Sequence, residues 1–198
     1  MSPIETLAER DKNFSKLVAQ IGKIEFEKRE INFRTLAKII INQQLSGSAA
    51  DTIFGRLENL LERKECREPD QFLNIPDKDL RTIGISFSKI GFIKDLARRL
   101  DGNPDLICSW NTLNDNEALE AIQNLKGFGP WSANIILLSM GRKDVFPFDD
   151  TTLKKAHLNI YGKPLSKNLQ EIDWAKPFRS FLARYFWRWV DEGMKELT

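Results

Sequence analysis

The nine residues Leu125-Lys126-Gly127-Phe128-Gly129-Pro130-Trp131-Ser132-Ala133 carry the clearest provision for binding an anion. A helical stretch with Ala118, Leu119, Ile122 and Leu125 on one face runs into two glycines, which permit positive φ and a very tight turn, and Pro130 suits the first position of a new helix. Such a turn aims backbone N–H groups out of a helix N-terminus, which favours a phosphate, and the missing side chains at Gly127 and Gly129 let it approach closely. Gly-x-Gly alone reads equally well as a plain connection; the whole string is more specific. Further on, Asp149 and Asp150 directly precede Thr151-Thr152-Leu153, where either carboxylate suits a helix cap. Trp187 adds an aromatic face. At about 100° per residue, Phe178, Phe181, Leu182, Tyr185 and Trp189 form one core stripe. Trp187 falls opposite, beside Ser180, Ala183 and Arg184, so it either packs on another lobe or offers its face to a ligand.

Other chemistries lack their residues. Two cysteines, Cys66 and Cys108, exclude a disulfide scaffold and a four-thiolate cluster held by one chain. His157, the only histidine, leaves almost no material for zinc catalysis or a Ser–His–Asp triad. Its place seven residues beyond Asp150 suggests a surface or interlobe position. The net charge is +2, unevenly spread: residues 123–198 carry 12 Lys and Arg against 8 Asp and Glu, and the remainder 18 against 20. A mildly basic C-terminal part suits phosphate contact without requiring it. The longest apolar run, around Ile135–Met140, is far short of the roughly 18 residues of a membrane span. The N-terminal Met1-Ser2-Pro3-Ile4-Glu5 lacks a basic segment leading into an apolar one, so the expectation is a protein that is not secreted.

The elements that must position these residues are helices. Apolar residues recur at helical spacing at Ile4, Leu7 and Ala8, at Phe33, Leu36, Ala37, Ile40 and Ile41, and at Ile53, Leu57, Leu60 and Leu61. Ser46 or Ser48 suits the cap of a helix running to about Arg63, and Asn114 or Asp115 that of one running to Leu125. Further starts lie at Pro76-Asp77 and Phe87-Ser88, with breaks at Pro69, Gly84, Gly102–Pro104, Gly127–Pro130, Gly141–Pro147 and Gly162–Pro164. No alternating strand pattern occurs. The reading is all-α and bilobed.

The hairpin string resembles that of the helix–hairpin–helix DNA glycosylases, a superfamily named for that hairpin, a Gly/Pro-rich loop and an aspartate. The loop and aspartate follow here as Gly141-Arg142-Lys143-Asp144-Val145-Phe146-Pro147-Phe148-Asp149-Asp150. Three further segments resemble the 3-methyladenine DNA glycosylase II branch: Ile40-Ile41-Asn42-Gln43-Gln44-Leu45-Ser46 with Ala49-Ala50, Ile83-Gly84-Ile85-Ser86 with Lys89, and Lys176-Pro177-Phe178-Arg179-Ser180 leading to Trp187. The resemblance runs from about residue 35 to 190. It implies one domain over residues 1–198 in two helical lobes with the active-site cleft between them. A middle lobe spans about 35–145, and the second lobe joins about 1–34 to 146–198. The additional N-terminal β-rich domain of longer members has no counterpart, so any pocket wall it supplies there is expected from residues 1–34.

For the site, the resemblance makes Asp150 the catalytic carboxylate, facing the positive charge that develops on the sugar as the base departs and orienting the attacking water. Trp131, Trp187 and Ile135 line the base pocket. Trp131 occupies the place where bifunctional members carry a Schiff-base lysine; indole cannot do that chemistry, which implies a monofunctional enzyme without lyase activity. Core packing alone is the plainer reading of Trp131. Gln44 matches the wedge that fills the gap left by a flipped base, with Leu45 its neighbour; otherwise Gln43 and Gln44 simply close a helix. Gly127, Gly129, Trp131 and Lys126 would contact the DNA backbone, with Arg142, Lys143, Lys154 and Lys176 nearby, each equally readable as a solvated charge. The family hairpin often holds a monovalent cation on backbone carbonyls, here Leu125 and Phe128, while no side-chain metal site and no cofactor are expected.

With no imidazole acid to protonate a neutral leaving base, purines already cationic through alkylation, 3-methyladenine and 7-methylguanine, fit best. A glycosylase for deaminated bases (hypoxanthine or uracil) and a non-catalytic helix–hairpin–helix DNA-binding protein are the alternatives. The expected partner is double-stranded DNA containing damaged bases, with no membrane, approached by a monomer in the cytoplasm (at the nucleoid) or the nucleus.

Overall fold

The computed structural model describes every residue except Ser46, Glu196 and Thr198, and among the described residues there are helices and turns but no strand. In chain order the helices are α1 (Pro3–Arg10), α2 (Lys12–Ile21), α3 (Phe33–Asn42), α4 (Gly47–Arg63), α5 (Pro69–Leu73), α6 (Asp77–Thr82), α7 (Phe87–Gly102), α8 (Leu106–Ser109), α9 (Asp115–Gln123), α10 (Pro130–Ser139), α11 (Thr151–Tyr161) and α12 (Arg179–Asp191), with a 3-10 helix over Gln170–Ala175. Among the described residues no helix is long and apolar enough to cross a membrane.

The chain divides into two compact units, Glu30–Ala133 and a second made of Met1–Arg29 with Asn134–Thr198. The resemblance implies a middle lobe ending at about residue 145, whereas the division falls after Ala133, inside α10. The reason is long-range bonding: Arg29 donates its backbone N–H to the Ser139 carbonyl at 2.9 Å. Arg184 donates from Nη2 to the Leu138 carbonyl at 3.0 Å. The C-terminal turns of α10 are thereby held by the second unit.

In the unit Glu30–Ala133, α3 packs on α4 and α7, and α5 and α6 pack on α7. The apolar spacing that predicts α3 buries Leu36, Ala37, Ile40 and Ile41, against a core that includes Leu57 and Ile93. Each fully buried Leu or Ile contributes roughly 1.5–3 kcal/mol of transfer free energy. Local signals set the helix ends. Asn32 caps α3 by accepting from Thr35 N at 3.0 Å while Thr35 Oγ1 accepts from Asn32 N at 2.8 Å. Asn114 and Glu117 form the same reciprocal box at α9, which stops at Gln123, two residues before the predicted end. The break read at Pro69 is a helix start, because proline occupies the first position of α5. Ser46 lies outside the described residues, and Ser48 lies inside α4.

In the second unit, α1 packs on α2, and α12 packs on α2 and α11. Asp11 caps α2 through Phe14 N at 2.7 Å and also accepts from the Tyr161 hydroxyl at 2.9 Å. Burial, then the Asp11 charge, raises the Tyr161 phenol above its ordinary range. One expectation needs correction. His157 is not a surface residue: it is 1% exposed, stacks on Tyr161 and meets the Lys163 carbonyl through Nδ1 at 2.8 Å. A carbonyl only accepts, so Nδ1 carries the proton. On α12, Ser180, Ala183 and Phe186 are buried along with Leu182, Tyr185 and Trp189.

Candidate functional site

Asp150 is the N-cap of α11, and its Oδ1 accepts from Leu153 N at 3.0 Å. The same oxygen accepts from the Trp187 indole Nε1 at 3.2 Å. Two N–H donors from two helices thus converge on one carboxylate oxygen, which also faces the positive end of the α11 dipole. Trp187 is half-buried, and the edge carrying its N–H is the part engaged with Asp150. Asp149, the other candidate cap, is exposed and lies 3.5 Å from the Lys154 ammonium.

The loop that delivers Asp150 is fixed to the start of α12. Arg179 grips Asp144 in a fork, Nε to Oδ1 at 2.8 Å and Nη2 to Oδ2 at 2.9 Å, and reaches the Asp144 carbonyl at 3.1 Å. Ser180 donates its N–H to the Lys143 carbonyl at 3.0 Å. Its hydroxyl accepts from Val145 N and donates to Val145 O, both at 3.0 Å. The string Lys176-Pro177-Phe178-Arg179-Ser180 therefore has a use that its sequence did not disclose. Positions 144 and 179 are too far apart for any periodicity to pair them.

In the other unit, the hairpin turns at Gly127 with φ +85°. A Cβ at Gly127 would lie 2.6 Å from the Phe92 ring, so glycine is required by packing as well as by φ. Gly129, expected to share the left-handed conformation, does not adopt it, and the space where its side chain would stand is open. The first backbone bond of α10 runs from Ala133 N to Gly129 O at 3.0 Å, so the N–H groups of Gly129 and Ser132 lie ahead of it. Trp131, in the first turn of α10, is half-buried, as is Ile135 on the part of α10 in the second unit.

Beside the hairpin, α3 ends at Asn42 and the chain turns through Gln43, Gln44 and Leu45. Gln44 is exposed with φ +58°, a left-handed conformation uncommon outside glycine, and Leu45 is 39% exposed. Gln43 turns inward. Its Nε2 donates to the Gly127 carbonyl at 2.7 Å and to Ser132 Oγ at 3.0 Å. The Lys89 ammonium caps the same helix end, donating to Ile41 O at 2.8 Å and Gln43 O at 2.7 Å, and burial pushes its pKa down. Sequence reasoning marked both residues by position and gave neither a task.

Among the basic residues named as phosphate contacts, Lys126 pairs with Asp95 at 3.0 Å, Lys154 with Asp149, and Lys176 with Asp173 at 2.7 Å. Such exposed pairs are worth roughly 0–1 kcal/mol, so they do not preclude a phosphate partner. Of the carbonyls named for a monovalent cation, that of Leu125 accepts from Phe128 N at 3.1 Å. Among the described residues no cluster of His, Cys, Asp or Glu could hold a metal ion.

Comparison with known proteins places this arrangement. The chain is 26% identical over 188 residues to DNA-3-methyladenine glycosylase 1 of Schizosaccharomyces pombe, covering 90% of this chain and 82% of that protein. It is 29% identical over 183 residues to the DNA-3-methyladenine glycosylase of Saccharomyces cerevisiae, covering 83% of this chain but only 59% of the yeast protein. In fold it is similar to the S. pombe 3-methyladenine DNA glycosylase solved in complex with abasic DNA, with a TM-score of 0.85 at 23% identity over 96% of this chain and 97% of that one. Residues 37–172 match the sequence pattern of HhH-GPD superfamily base excision DNA repair proteins. That span holds the hairpin, the clasped loop and the capping aspartate, and the chain belongs to this superfamily.

Proposed function

We propose that the protein is a monofunctional DNA glycosylase that flips alkylated purines such as 3-methyladenine and 7-methylguanine out of double-stranded DNA and hydrolyses the N-glycosidic bond, as in base excision repair. The observation that carries this reading is the Asp150 carboxylate held by Leu153 N and Trp187 Nε1. A carboxylate fixed by two donors is preorganised, so stabilising a sugar with oxocarbenium character needs no rearrangement at the moment of reaction. In the step itself the C1′–N bond breaks and its electron pair leaves with the base. A water oxygen bonds to C1′, and Asp150 takes the water's proton before passing it to solvent. An alkylated purine leaves neutral because it entered cationic. That matches the state of His157, the one imidazole, which is buried and bonded to a carbonyl.

The remaining roles follow motif position and local geometry. Trp187 engages Asp150 by its edge, leaving the indole face for an electron-poor base; Trp131 and Ile135 are the other base contacts. At the Trp131 position an indole supports attack by water rather than by a protein amine, hence an abasic product without strand cleavage. Gln44, exposed in a strained backbone conformation, and Leu45 supply the wedge. The N–H groups around Gly129 and the start of α10 hold a backbone phosphate, with Lys126 beside them. The names of the S. pombe and S. cerevisiae relatives support the lesion class.

The test is mass analysis of the bases released from methylated, hypoxanthine-containing and uracil-containing duplexes by wild type and Asp150→Asn. The reading expects methylated purines from wild type, a fall of about 100-fold or more in the variant, and no borohydride-trapped protein–DNA adduct. Release of hypoxanthine or uracil alone would move the substrate to deaminated bases. Duplex binding with no release from any substrate would leave a DNA-binding protein.

A further inference from the structure

Gln43 joins the two surfaces assigned to DNA. Its amide donates to the Gly127 carbonyl at the apex of the hairpin and to the buried Ser132 hydroxyl in the first turn of α10. Its backbone carbonyl is held by Lys89, and the next residues are Gln44 and Leu45. The Gly127 carbonyl shares one rigid peptide plane with the Phe128 N–H, which donates to Leu125 O at 3.1 Å, so holding that carbonyl holds the turn that leads into Gly129. Gly127 is itself pressed on the Phe92 ring and has little room to tilt independently.

We infer that Gln43 is a positioning residue that couples the Gln44–Leu45 wedge to the phosphate grip of the hairpin, so that insertion at a lesion and tightening on the backbone occur as one event. The inference rests on the function proposed above. Its physical basis is that one side-chain amide, held by two hydrogen bonds, ties the apex of the hairpin to the first turn of α10 while its own backbone is fixed at the wedge. A shift at either end must therefore strain or break those bonds. Coupling of this kind is reciprocal and typically worth about 5- to 150-fold in affinity.

The experiment is a double-mutant cycle in the full-length chain. Gln43→Met keeps volume and removes both donors; Ser132→Ala removes one acceptor and checks the result should the first variant lose its fold, as read from its melting curve. Binding to a duplex holding an abasic-site analogue is compared with binding to the undamaged duplex, and methylated-base release from duplex with release from single strands. Gln43→Met is expected to lower the lesion preference by about tenfold, with Ser132→Ala giving part of that loss. Gln44→Ala, which costs lesion preference in the wild-type background, should cost under about threefold beside Gln43→Met. Additive effects of Gln43→Met and Gln44→Ala, or an unchanged lesion preference in Gln43→Met, overturn the coupling while leaving the glycosylase reading intact. Absence of methylated-base release by wild type overturns both.

Discussion

Trp187 and Asp150 share a hydrogen bond of 3.2 Å, indole Nε1 to carboxylate Oδ1, at the oxygen that also caps α11. Trp187→Phe keeps an aromatic face and removes the donor. A hydrogen bond to a charged group is worth roughly 1.5–3 kcal/mol. Single-turnover base release is therefore expected to fall by about 10- to 100-fold, with affinity for the product duplex changed far less. Equal loss in both would assign Trp187 to base stacking alone.

Asp144 and Arg179 hold the loop ahead of Asp150. Arg179→Lys retains the charge but loses the planar fork. Because both side chains are partly exposed, at 18% and 26%, the stability cost is set at about 1–2 kcal/mol, below that of breaking a fully buried pair. The rate of base release should drop further than this loss of folded protein explains, with the apparent affinity for duplex unchanged. Parallel kinetics and denaturant titration make the comparison.

Gly127→Ala meets two penalties, a φ of +85° and the Phe92 ring 2.6 Å from the new Cβ. Left-handed strain of about 1 kcal/mol plus the overlap gives an expected destabilisation of about 2–4 kcal/mol. Pairing it with Phe92→Ala should cost less than the sum of the two single changes, because the overlap is then gone. Urea unfolding of the four proteins measures this.

Tyr161 and Tyr185 both hold their protons more tightly in the fold than the ordinary value of 10.0, burial being the first cause in each. An unfolded tyrosine releases its proton near pH 10 while the folded one keeps it, so the native state binds more protons there and stability falls as pH rises. The slope is at most about 1.4 kcal/mol per pH unit for each tyrosine. Stability should be level in these two groups below pH 9 and decline above 10, and Tyr161→Phe should flatten part of the decline.

Helix content and ends were largely legible because their causes are local. The apolar spacing of α3, the Asn114–Glu117 box and Pro130 at the first position of α10 each act within four residues. Asp150 was legible as a cap for the same reason. What periodicity missed was which groups the fold brings onto one another. His157 reads as a surface or interlobe residue, until the Lys163 carbonyl satisfies its Nδ1 and Tyr161 covers its ring. Gly129 was credited with a left-handed turn because glycine permits one, but permission is not need, and only Gly127 is forced. The end of the middle lobe at about residue 145 comes from the resemblance, while the division falls after Ala133. The bonds of Arg29 and Arg184 to the end of α10 cannot be seen in a linear pattern.

The dual duty of one Asp150 oxygen bears on how the protein can be used. An amide at that position still presents an oxygen to both the helix start and the indole, so the architecture survives while the negative charge goes. Alanine would remove both together. On the proposed mechanism, Asp150→Asn would halt on damaged nucleotides without discarding them, making it a bait for recovering lesion-bearing fragments from a mixed genome.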